Sequence, residues 1–175
     1  MTITLSRKFA DFTLRWNPDE KRSYDSLVYQ YAVMVNFLAI AALTLIIGLI
    51  NGQLSATLTA GASFMALRVV SGGFHFKSLD LCAVVTATIY GVIPSVHVSA
   101  DYIIWINAVS LVLVALLAPT NLRNTMWTSK AGAKMVFKAA AICVVLIGWA
   151  LGSETVALAL LAQALLLIPR KGVAN

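Results

Sequence analysis

The run LVYQYAVMVNFLAIAALTLIIGLI, Leu27 to Ile50, carries no charged side chain. Crossing the hydrocarbon core of a bilayer takes roughly 20 consecutive apolar residues in a helix, so this run predicts a membrane span. The residues before it argue that the span is kept. A basic stretch from Arg7 to Arg22 leads into the long run, without the short apolar region and A-x-A site of a cleavable signal.

The rest of the chain matches that reading. Its 175 residues are 60% hydrophobic and 11% charged, with a mean hydropathy of +0.86. A soluble domain of this length could not hide so much apolar surface. The net charge of +6 raises the question of nucleic acid. The basic residues, however, are spaced between apolar runs rather than gathered in one patch, a placement that sets membrane topology, so no nucleic-acid partner is expected. Two cysteines, Cys82 and Cys143, do not make a disulfide framework.

Apolar runs at 27–50, 53–70, 79–97, 102–119, 135–152 and 154–169 predict six spans and an all-α polytopic membrane fold. The second and last runs are short, and the second holds Arg68. Asn51-Gly52, His97 to Asp101, and Gly152-Ser153 mark tight turns between hairpin partners.

All 13 lysines and arginines fall in four segments. The N-terminal segment holds Arg7, Lys8, Arg15, Lys21 and Arg22; the second connection holds Arg68 and Lys77. Arg123, Lys130, Lys134 and Lys138 lie around the fourth, and Arg170 and Lys171 in the tail. By the positive-inside rule both termini and these two connections face the cytoplasm. With no internal repeat, residues 1–175 read as one membrane domain, comprising a cytoplasmic segment 1–26 and a six-helix region 27–169. Within the first segment Leu5, Phe9, Phe12 and Trp16 recur at helical spacing until Asn17-Pro18. That pattern suits a helix lying on the inner leaflet and in contact with its lipids; a partly ordered basic tail is the plainer reading.

The second connection, LRVVSGGFHFKSLDLC (Leu67 to Cys82), concentrates the reactive chemistry. Gly72-Gly73 breaks the helical pattern and opens backbone conformations closed to other residues, which puts His75 on a loop or re-entrant turn. Cys82 falls near the start of the third span, where the positive end of a helix favours thiolate. A histidine that takes a thiol proton makes the usual activated nucleophile for acyl transfer. Geometry sets a condition: seven residues of straight helix rise about 10.5 Å, so His75 and Cys82 meet only if the segment folds back.

Plainer readings stand beside this one. Cys82 and Cys143 are each candidates for core packing, Cys143 above all. His97 lies at the outer end of the third span, remote from Cys82, and reads as a wet polar side chain. Arg68 suits snorkelling to the interface, and Asp80 suits the helix N-terminus electrostatically. Two ligands, His75 and Cys82, fall short of a structural zinc site, so no metal or other cofactor is expected.

At these residues the chain resembles the accessory gene regulator B (AgrB) family of membrane cysteine endopeptidases. The likeness rests on Arg68, the Gly72-Gly73-Phe74-His75 element, and Cys82 seven residues after the histidine. Length, six expected spans and the basic connection after LLAP (Leu116–Pro119) add to it. The chain departs from the family in that connection, reading TNLRNTMWTSK (120–130) where a second proline is frequent. The resemblance implies His75 and Cys82 as catalytic residues. It also implies a short quorum-sensing propeptide as substrate, its C-terminal tail cleaved and the peptide cyclised through a thioester. Arg68 would bind the substrate or stabilise the oxyanion, Gly73 would serve for its backbone freedom, and Ser78 or Asp80 are the nearest groups to orient His75. A homodimer is implied by the resemblance alone. The competing functions are a small transporter, disfavoured because no acidic group sits at mid-span, and a non-catalytic membrane scaffold.

Overall fold

A computed structural model describes residues 1–73, 78–120 and 132–168. Among them the chain is all helical: α1 (Thr2–Trp16), α2 (Tyr24–Ile50), α3 (Leu54–Ser71), α4 (Leu79–Val92), α5 (Ala100–Leu117), α6 (Ala133–Ala150) and α7 (Glu154–Leu165). A 3-10 turn, Ile93–Ser95, extends α4.

Four helices, α2, α3, α5 and α6, are long and apolar enough to cross a membrane. The six expected runs all became helices, but α4 with its 3-10 turn and α7 are shorter. Pro94 lacks a backbone N–H and sits in the 3-10 turn that ends α4. α2 starts three residues before the expected boundary, because the Ser23 hydroxyl caps it by accepting from the Ser26 N–H, with Asp25 in the first turn. The turn expected at 97–101 is also shorter, since Ala100 and Asp101 already belong to α5.

α7 lies at the centre despite its length, packed against α3, α5 and α6. Its Val156, Leu160 and Ala164 join Leu67 of α3, Val114 of α5 and Val145 of α6 in one buried cluster. Its Ala159 joins a second, with Ile40 of α2, Phe64 of α3, and Ala83 and Tyr90 of α4. Large apolar side chains such as Ile50, Trp105 and Leu116 point outward. In a bilayer such an exterior is at home, and helices then associate through small residues that let backbones approach. Cys143 follows the same logic and corrects the core-packing expectation: it is exposed on α6, whereas Cys82 is buried. An outward position on a membrane helix meets lipid, so apolar character there does not imply burial in protein.

α1 is a helix rather than a loose tail, and it ends at Trp16, before Asn17. Its small residues Thr2, Ser6 and Ala10 are buried while Leu5, Phe9, Phe12 and Trp16 are exposed. The Thr13 hydroxyl meets the Tyr31 hydroxyl of α2 at 2.6 Å. At the far end of the bundle His97 Nδ1 lies 3.3 Å from a Glu154 oxygen, and Glu154 also accepts from the Val98 N–H. His97 therefore links the segment after the 3-10 turn to the start of α7.

Close helix packing makes a direct prediction. A methyl group on Gly91 of α4 would overlap Ile47 Cγ2 of α2, and a β-branched neighbour has little rotamer freedom in which to yield. Gly91→Ala is expected to destabilise the protein by about 1–3 kcal/mol, read as a lowered thermal midpoint in detergent. Gly132→Ala, with nothing near its Cβ position, should leave the midpoint almost unchanged.

Candidate functional site

The site begins where α3 ends. Phe64, Leu67 and Ser71 are buried on one side of this helix, and Arg68 projects from the same last turns. The chain leaves the helix through Gly72 (φ +72°) and Gly73 (φ +129°), both in the left-handed half of backbone space that glycine alone tolerates well. The backbone groups freed there pair with the segment after α5: the Thr120 N–H donates to the Ser71 carbonyl at 3.0 Å, and the Gly73 N–H to the Thr120 carbonyl at 3.1 Å. These bonds form an isolated parallel bridge between Gly72 and Thr120.

Gln163 of α7 completes this arrangement. Its side chain is fully buried. Its amide nitrogen donates to the Gly72 carbonyl at 2.7 Å and to the Ser71 hydroxyl at 3.2 Å, and its amide oxygen accepts from Arg68 Nη1 at 3.1 Å. The Arg68 guanidinium also lies 5.9 Å from the centre of the Phe64 ring, within cation–π range. Phe64 in turn meets Tyr90 of α4 edge-on at 5.2 Å. Arg68 is thus held among α3, α4 and α7, a tighter placement than simple snorkelling to an interface.

Cys82 lies in the first turns of α4. The Ser78 hydroxyl caps that helix by accepting from the Leu81 N–H at 3.3 Å, and the Cys82 N–H donates to the Ser78 carbonyl. Cys82 is 5% exposed, and its thiol lies 4.0 Å from the Thr86 hydroxyl. It shares a buried helix face with Ala83, Thr86 and Tyr90. The Cys82 thiol and the Tyr90 hydroxyl are near enough to Arg68 for electrostatic interaction.

Asp80 turns to α1 instead. Its carboxylate accepts from the Met1 ammonium at 2.9 Å and from the Thr2 N–H at 3.1 Å, and also from the Thr2 hydroxyl. Its negative charge, two residues from the thiol, is therefore balanced by the Met1 amine. His75, with Phe74 and Lys77, lies outside the described residues. The structure joins Arg68, Gly72, Gly73 and Gln163, with Cys82 on the neighbouring helix; Ser78 caps its own helix and Asp80 meets α1. Among the described residues no group of three or more His, Cys, Asp or Glu side chains converges to hold a metal.

Sequence reasoning passed over Gln163. The available signal was its solitude: from Val156 to Ile168 it is the one polar residue, in a helix where a polar side chain needs a partner.

The family model described as accessory gene regulator B matches residues 6–167. The chain belongs to the accessory gene regulator B family. The match runs from within α1 to the turn that follows α7, so it includes the whole site. Membership and the long apolar helices together make this a membrane protein in the propeptide-processing context of accessory gene regulators. Comparison with curated proteins and with solved structures gives no match.

Gly73 supplies the test of the site's geometry. Besides its positive φ, a Cβ there would lie 3.2 Å from the Gln163 amide nitrogen and 3.4 Å from the Leu166 carbonyl oxygen. Gly73→Ala is expected to cost about 1–3 kcal/mol through strain and crowding. The readout is faster alkylation of buried Cys82 in the folded protein, with Cys143 as the internal reference.

Proposed function

We propose that this chain is a membrane-embedded cysteine endopeptidase that removes the C-terminal tail of a short signalling propeptide and cyclises what remains. The observation that carries the reading is a buried cysteine in the first turns of α4, within electrostatic reach of an arginine that Gln163 holds at the end of α3, in a chain of the accessory gene regulator B family. Six crossings of the bacterial plasma membrane, with both termini and the 72–78 connection cytoplasmic, fit the distribution of lysine and arginine. α1 then lies on the inner leaflet, its exposed aromatic face in lipid.

In the proposed reaction His75 takes the proton from Cys82. The thiolate, favoured by the positive end of α4, attacks the carbonyl at the scissile bond. The tetrahedral intermediate collapses as His75 returns the proton to the leaving amine, and the tail departs. A cysteine thiol or serine hydroxyl of the same peptide attacks the resulting thioester, closing a thiolactone or lactone and restoring the thiol. An enclosed site favours the tethered nucleophile over water. Arg68 serves either the developing oxyanion or an acidic tail, by charge-assisted hydrogen bonds. No cofactor is required. A homodimer follows from the family reading.

Co-expression with a candidate propeptide, followed by mass spectrometry, tests this. Tail cleavage and an acyl adduct on Cys82 are expected with the natural sequence. Cys82→Ala should abolish both, and His75→Ala should lower the rate by about 10²–10⁴-fold, the usual worth of a general base. Cleavage that survives Cys82→Ala refutes the mechanism. Labelling of residue 82 from outside the cell alone refutes the orientation.

A further inference from the structure

We propose that Gln163 is a positioning residue for the site, its amide fixing the direction of the Arg68 guanidinium and the path of the chain at Gly72. The proposal rests on the reading of Arg68 as a substrate or oxyanion group, and adds the part that α7 plays in it.

The argument starts from what a primary amide offers. It has two donor hydrogens and one acceptor oxygen, and a guanidinium can only donate while a carbonyl can only accept. The orientation of the Gln163 amide is therefore dictated by its neighbours: oxygen to Arg68, nitrogen to the Gly72 carbonyl. The second N–H finds the Ser71 hydroxyl. Both hydrogens and the oxygen are used, at a residue with no solvent exposure. A buried amide in an apolar helix is costly unless so satisfied, and one that joins the arginine to the glycine hinge ties those elements into a single rigid unit.

Leaving out Cβ at Gly73 serves the same unit, since the missing atom would press on the Gln163 nitrogen and stand 3.7 Å from Arg68 Nη1. The glycine thus makes room for an amide that arrives from 90 residues later in the chain. Gln163 is one of the partners of Arg68, and the one supplied by α7.

Two substitutions separate a positioning role from a merely structural one. Gln163→Met keeps the volume and removes every hydrogen bond. Gln163→Glu keeps an acceptor for Arg68 and removes both donors to Ser71 and Gly72. The first readout is activity-independent: the rate at which phenylglyoxal modifies Arg68 in detergent-solubilised full-length protein, with exposed Arg7 and Arg15 as references. Gln163→Met should speed Arg68 modification about tenfold, the worth of one hydrogen bond to a charged group, while Gln163→Glu stays near the natural rate. Equal rates in both variants, or no change in Gln163→Met, overturn the proposal. If Gln163→Met unfolds, seen as denatured-rate alkylation of Cys82, Gln163→Glu decides alone: protection of Arg68 upholds the proposal and exposure overturns it.

The second readout is propeptide cleavage. Gln163→Met should lower kcat/KM about tenfold or more, yet add no more than about twofold to the loss in an Arg68→Met background, because both changes then remove one interaction. Multiplying losses count against the proposal. If the natural protein cleaves no propeptide, the peptidase reading falls, and the phenylglyoxal result still decides whether Gln163 holds Arg68.

Discussion

Where a chain leaves a helix inside an apolar surround, each freed backbone N–H and carbonyl must find a partner or carry the cost of an unmet hydrogen bond. The C-terminus of α3 meets that constraint with protein groups from two distant segments. Thr120 pairs with Ser71 and Gly73, and Gln163 takes the Gly72 carbonyl. This exit fixes the path of the backbone through Gly73, at the near end of the motif. The left-handed glycines are the local condition for it, and the pairing with residue 120 is the long-range one.

Much of the fold was legible because hydrophobic runs and helix signals act locally. Each predicted apolar run holds a helix, and Asn51-Gly52 and Gly152-Ser153 separate them as expected. The misread points are those where surroundings matter more than the run itself. Cys143 sits in an apolar run as Cys82 does, and only helix packing tells that one faces outward and the other inward. α7 reads as a weak, short span, yet its brevity goes with burial on more than one side, at the junction of both cores.

The site was legible to the extent that its chemistry is contiguous. Arg68, the glycine pair and Cys82 lie within sixteen residues and announce themselves by type and spacing. Gln163 does not, because its partner Arg68 stands 95 positions away and an uncharged amide draws no notice in a search for ionisable groups. Asp80 shows the converse difficulty. Its oxygens meet Met1 and Thr2 of α1, a contact that no local pattern encodes. α1 likewise buries Thr2, Ser6 and Ala10 and leaves Leu5, Phe12 and Trp16 exposed, the reverse of a helix that docks in water.

The bonds from Gln163 also impose an order of assembly. A ribosome releases α3 and the glycine hinge long before α7, so at that stage the Gly72 carbonyl and Arg68 lack the amide that holds them in the finished protein. Among the described residues, the helix that comes last in sequence is the one that closes the unit at the C-terminus of α3. Until α7 has found its place among the others, a nascent chain lacks the bonds that tie Arg68 and the Gly72 carbonyl to Gln163.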